Sequence, residues 1–199
     1  MATNLEKTLR LVRDAGVLRP RDLDRQRIPR QYLRILEQQG IIQKTGRGLY
    51  ILAGTKVTEN HSLAQASKRV PQGIVCLLSA LRLHGLTTQL PHEVWMAIDR
   101  KSWKPNVDQP AIRVVRFSGA ARTSHIRQRK IDGVSVRFYD PAKTVADCFK
   151  YRNKIGLDVA IKALRDCWRK KTATMDQLHQ AAKVCRVAAV MRPYMESLT

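Results

Sequence analysis

Residues 19–52, RPRDLDRQRIPRQYLRILEQQGIIQKTGRGLYIL, are the stretch on which the fold turns. Pro20 suits the first position of a short helix that carries Leu23. Ile28-Pro29 starts another helix in the same way, and Gly40 ends it. On a helical wheel Tyr32, Leu33, Ile35 and Leu36 fall on one side. Arg30, Gln31, Arg34 and Gln38 fall on the other, along with Glu37. Ile41-Ile42-Gln43-Lys44 and Leu49-Tyr50-Ile51-Leu52 then flank a Gly46-Arg47-Gly48 turn, the pattern of a β-hairpin.

Upstream, Thr3 and Glu6 have the spacing of a capping box. Leu5, Leu9 and Val12 follow at helical intervals, and Gly16 closes that first helix. Helix, short helix, helix, hairpin is the order of a winged helix-turn-helix, which lays its third helix in the major groove of DNA. Arg30, Gln31, Arg34 and Gln38 are residue types that read base edges, Arg on guanine and Gln on adenine. Lys44 and Arg47 on the wing suit phosphates, and Arg19 and Arg21 join the same basic surface. Winged helices also bind proteins, but the charge of the chain favours DNA.

That charge is large. Thirty-seven Lys and Arg stand against sixteen Asp and Glu in 199 residues, a net +21. The first partner it implies is a polyanion, usually nucleic acid; an acidic membrane or protein is the other class. Residues 1–55 hold eleven basic and five acidic residues, a net +6, and residues 56–199 twenty-six and eleven, a net +15. The apolar pattern breaks around Gly54, Thr55 and Lys56, so a DNA-binding domain over 1–55 and a second domain over 56–199 are expected. In the second, Arg122, Arg127, Arg129 and Lys130 form a basic group that is expected to extend the DNA surface or receive an acidic partner. Arg169, Lys170 and Lys171 sit where a helix dipole favours cations.

The second part is mixed. A helix is expected over 63–70, and a buried helix over 74–81 ending near Gly85. Strands are expected over 94–98 and 112–117. A hairpin is expected with Lys130-Ile131 and residues 134–138 around Asp132-Gly133. Asp140-Pro141 caps a helix through Phe149, and three more helices follow at 157–168, 175–185 and 188–198. The fold class is therefore α+β: an N-terminal winged helix, then a small sheet with a helical end.

Several stretches resemble the AbiEi-like antitoxins, the regulators of abortive-infection (type IV) toxin–antitoxin operons. They are VCLLSAL at 75–81, LHGLT at 83–87, LPHEVW at 90–95 and YDPAKTVAD at 139–147, and the resemblance covers nearly the whole chain. It implies a winged helix that binds inverted repeats of double-stranded DNA in its own promoter and represses it. It also implies a C-terminal domain acting as antitoxin against a nucleotidyltransferase-like toxin encoded beside it.

Other chemistries are weaker. The longest apolar run, 73–81, is broken by Ser79 and falls short of the ~20 residues that span a bilayer. The N-terminus lacks a continuous apolar core for export, so a cytoplasmic protein without membrane partner is expected. Cys76, Cys148, Cys167 and Cys185 show no two-residue gap, and the five histidines no ligand spacing, so reduced thiols, no metal and no cofactor are expected. Asp99-Arg100-Lys101 has the D-x-K spacing of one arm of a metal-dependent nuclease, with Glu93 upstream, but a charged turn explains it better. Asp140 fits a cap, and Lys143 with Asp147 an ion pair. His84 fits a helix end. No P-loop, dinucleotide fingerprint or nucleotidyltransferase Gly-Ser motif is present, and no enzyme is expected. A winged-helix-tethered nuclease and a non-specific nucleic-acid-binding protein are the alternatives to a repressor. Metal-dependent cleavage would mark the first, and equal affinity for all sequences the second.

Overall fold

A computed structural model describes residues 3–56 and 58–198. The fold is α+β, and it divides into two compact units. The first runs to Pro71 and also takes in Val107–Pro110 and Arg129–Val136.

Its first helix, α1 (Asn4–Ala15), begins at the capping box: Glu6 N–H donates to Thr3 Oγ1 at 3.2 Å and Thr3 N–H to Glu6 Oε2 at 2.8 Å. It ends at Gly16 with φ +64°, a conformation glycine adopts freely. Next come α2 (Pro20–Asp24), α3 (Gln31–Gln38) and the wing strands β1 (Ile42–Gly46) and β2 (Leu49–Leu52), which pair antiparallel. Leu18 adds a bridge to Tyr50, both amides bonded at 2.9 Å, so a third extended segment backs the wing. Val12, Leu18, Leu23, Ile28, Leu33, Leu36 and Ile42 form the core.

The third helix starts two residues later than expected from Pro29. Tyr32 N–H bonds to Pro29 O and Leu33 N–H to Arg30 O, a tight turn that leaves Arg30 at the N-cap. Of its apolar side only Leu33 and Leu36 are buried, while Tyr32 and Ile35 are half-exposed.

The first unit continues past residue 55 because α4 (His61–Arg69) is fastened to the wing. Gln65 donates to Thr45 O and Thr45 Oγ1, both at 2.7 Å, and His61 Nε2 lies 3.0 Å from Thr45 Oγ1. His61 Nδ1 meets Asp132 Oδ2 at 2.7 Å. Near that aspartate the main chain comes very close to α1: a Cβ added at Gly16 would lie 1.8 Å from Asp132 O, and one at Gly133 would lie 2.7 Å from the Gly16 backbone.

A five-stranded sheet of order β5-β4-β3-β7-β6 carries the second unit, except that the β6–β7 tip, Arg129–Val136, counts with the first. The strands are β3 (Ile74–Val75), β4 (Val94–Asp99), β5 (Ile112–Phe117), β6 (Ile126–Ile131) and β7 (Val134–Tyr139). β4 runs parallel to β5 and antiparallel to β3, and β3 is parallel to β7. β6 and β7 are joined by Asp132-Gly133, both with positive φ (+46° and +77°), as a two-residue hairpin turn requires.

The expectation of one buried helix over 74–81 is corrected here. Ile74 and Val75 are the central strand, with β4 on one side and β7 on the other, and α5 (Leu77–Leu83) starts only after Cys76. A strand buried on both faces reads as an unbroken apolar run, which periodicity cannot separate from a buried helix.

The remaining helices are α6 (Ala120–Thr123), α7 (Pro141–Lys150), α8 (Arg152–Ile155), α9 (Leu157–Arg169), α10 (Met175–Cys185) and α11 (Ala188–Glu196). Asp140 caps α7 by accepting from Lys143 N–H at 2.8 Å. Every residue of α7 before Lys150 is buried, and α5, α9, α10 and α11 pack around it. All four cysteines are free and buried. Among the described residues no helix is long and apolar enough to cross a membrane.

Candidate nucleic-acid interface

The outward face of α3 is polar. Gln31, Arg34 and Gln38 are all exposed, and their spacing of three and then four residues puts them on one side of the helix. At 1.5 Å per residue they span about 10 Å, close to the length of three base pairs. Leu33 and Leu36 hold the opposite side in the core, which fixes the helix in rotation.

Arg30 behaves differently from these three. Its guanidinium makes two hydrogen bonds to Asp24, at 2.9 and 2.5 Å, across the turn between α2 and α3. That pairing holds the Asp24 carboxyl below its usual range. Both side chains stay largely exposed, so the pair is a weak tie in water.

Arg19 is turned inward. It pairs with Asp22 at 3.1 Å and donates to the Lys68 carbonyl, with 13% of its side chain exposed. Burial pushes the Asp22 carboxyl up, but hydrogen bonds from the Arg19 side chain and amide and from Lys68 outweigh it and leave it low. Arg21, one residue beyond Pro20, is exposed.

On the wing, Lys44 pairs with Glu37 of α3 at 3.2 Å and stacks 5.8 Å above the Tyr50 ring. Arg47, at the tip, is 89% exposed and 3.7 Å from Asp108, which is also open. The Arg69 guanidinium grips the Arg47 carbonyl, which braces the tip from behind.

The remaining predicted cations fall into two settings. Arg122 belongs to α6, where it stands 3.8 Å from Asp99 and 3.5 Å from the Gln72 carbonyl. Arg127, Arg129 and Lys130 are exposed on β6, the edge strand of the sheet. Charged side chains on an edge also protect it against pairing with another chain, so their presence alone does not demand a ligand. Of the helix-end group, Arg169 is paired with Asp166 at 2.9 Å and Lys170 donates to the Gly85 carbonyl.

The nuclease constellation does not assemble. Glu93 precedes β4 and Asp99 ends it, six residues apart, which along a strand is about 20 Å. One ion cannot bridge that gap. Asp99 instead accepts from the Lys101 amide at 2.9 Å, and Glu93 pairs with Arg113 at 3.4 Å. Among the described residues no group of three acidic, histidine or cysteine side chains could hold a metal. His84 sits at the end of α5 with Nε2 2.8 Å from Tyr139 O, a structural hydrogen bond.

The sequence left the clamp behind the wing unread. His61, Gln65 and Asp132 lie far apart in the chain and carry no shared spacing. Arg25 and Arg27, exposed in the turn before α3, were visible as charges but lay outside any helical pattern.

A helix-turn-helix with an exposed polar third helix and a braced two-stranded wing defines a winged-helix protein. Residues 6–53 match a family described as "Transcriptional regulator, AbiEi antitoxin". The matched range is the three helices and the wing, and the class it supports is a DNA-binding regulator. The stretches at 75–95 and 139–147 lie outside it. No curated protein matches the chain.

Proposed function

We propose that this chain is a sequence-specific, DNA-binding transcriptional repressor that acts on its own promoter. In this reading residues 1–55 bind inverted repeats, and residues 56–199 serve as antitoxin domain against a nucleotidyltransferase-like toxin. The protein works by binding and not by catalysis. The observation that carries the proposal is the face of Gln31, Arg34 and Gln38, three exposed base-reading side chains on a helix whose back is locked into the core. Arg21 and Arg47 are exposed cations suited to the flanking phosphates. The family matched by residues 6–53 supports the regulatory role.

The test is competition between operator and scrambled duplex. A good bidentate base contact discriminates by roughly 1–3 kcal/mol, so Arg34→Ala should cut the preference for operator by about five-fold or more. An unchanged preference would remove α3 from base reading.

A further inference from the structure

A cavity of about 440 Å³ in the second unit is lined by four cationic residues and by no acidic one. Arg116 comes from the end of β5 and Lys150 from the last residue of α7. Lys183 stands in the last turn of α10 and Arg186 is its C-cap. Arg116 Nη1 donates to the carbonyls of Asp99, Arg100 and Ser102, at 3.5, 3.0 and 2.6 Å, and among the described residues no carboxylate pairs with it. No carboxylate among the described residues stands within ion-pair distance of Lys150, Lys183 or Arg186.

Helix ends offer a plain explanation for some of this charge, because a C-terminus attracts cations. It is not sufficient. Two helix ends supply about half a negative charge each, and four cations leave roughly three positive charges uncompensated. The backbone adds a second sign. Arg186 has φ +58°, the left-handed position where helices usually place glycine, yet an arginine occupies it and lines the cavity. Gly119, beside Ser118 in the lining, has open space where a Cβ would stand.

The shape selects the class of ligand. Small-molecule sites span about 300 to 1,000 Å³, and this volume falls within that range. A duplex backbone needs an open face, whereas a concave wall concentrates the field of its cations on something that enters it. Arginine forks match phosphate oxygens and lysines add point charge. We propose that this cavity binds a small ligand carrying two or more phosphates, of nucleoside-polyphosphate size. The proposal is independent of the DNA reading, since it uses no residue of the winged helix.

Calorimetric titration of the full chain with inorganic tripolyphosphate and with ATP, at physiological salt, tests it. One site per chain is expected. The double variant Lys183→Gln, Arg186→Gly should weaken binding at least about tenfold. It should melt like the parent without ligand, because Lys183 is exposed and glycine suits the Arg186 backbone. A charge-matched control, Arg165→Gln with Arg192→Gln on exposed faces of α9 and α11, should keep the parent affinity. The proposal is overturned if the first double variant binds as the parent does, or if binding occurs only at many weak sites. Loss of duplex affinity in that variant, without tripolyphosphate binding by the parent, would assign the cations to nucleic-acid backbone and equally overturn it.

Discussion

Lys143 and Asp147 form an ion pair with both carboxylate oxygens 2.7 Å from the ammonium and side chains at most 1% exposed. The Lys143 nitrogen also lies 4.1 Å from the Tyr139 ring centre and 4.6 Å from that of Phe117, and Cys185 donates to Asp147 at 3.3 Å. Burial pushes the Asp147 carboxyl up and Lys143 pulls it down, with burial the stronger, so it sits above its usual range. Such a pair costs much to break and little to replace. Lys143→Met should lose roughly 3–5 kcal/mol, whereas Lys143→Met with Asp147→Leu should recover most of that loss. Urea unfolding of the two singles and the double measures the coupling, and additive losses would mean the two side chains act separately. The sequence disclosed this pair as a four-residue spacing, but not its depth. Burial depends on what α5, α9 and α10 bring to α7, which no spacing within the helix records.

Elements with chemical punctuation at their ends were legible. Thr3 with Glu6, Asp140 with Pro141, and Asp132 with Gly133 each satisfy or bend the backbone locally, and each fixes a boundary that the structure keeps. The failure came where the deciding partner is distant. Ile74 and Val75 are a strand because β4 and β7 offer hydrogen bonds, which no spacing within residues 74–81 records. The wing was legible as a hairpin, and its chemistry is of another kind from that of α3. Arg47 is open and its neighbour Asp108 is weakly held, so the proposed function makes it a phosphate contact. Arg47→Ala should weaken operator and scrambled DNA by similar factors and lower the slope of log affinity against log salt by about 1. A variant that lost sequence preference alone would make the wing a base reader.

Across the whole molecule, the thiols report how tightly the second unit is closed. Burial pushes Cys76, Cys148, Cys167 and Cys185 above the usual thiol range, and all four are covered. Little thiolate exists at neutral pH and reagents lack access. Native protein treated with iodoacetamide should therefore show no adducts by mass spectrometry, and protein in denaturant should show four. Native labelling at any one of them would reveal local opening there. The charge of the chain, read from composition, pointed to polyanions but not to where the charge gathers. Lys150, Lys183 and Arg186 are unremarkable in sequence and meet only because α7 and α10 end at one place.

The first unit is assembled from three separate passes of the chain, to Pro71, at Val107–Pro110 and at Arg129–Val136. Gly16 and Gly133 meet there with no room for a single added methyl, and Asp132 supplies the far end of the His61 bridge to the wing. The helix-turn-helix is thus not a cassette. A gene fusion that kept only the first fifty-five codons would leave Thr45 without Gln65 and His61, and His61 is itself seated on residues encoded more than seventy codons later. Recombination that shuffled such heads between chains would have to carry a short hairpin tip along with each one, so this winged helix is inherited together with part of the chain's second half.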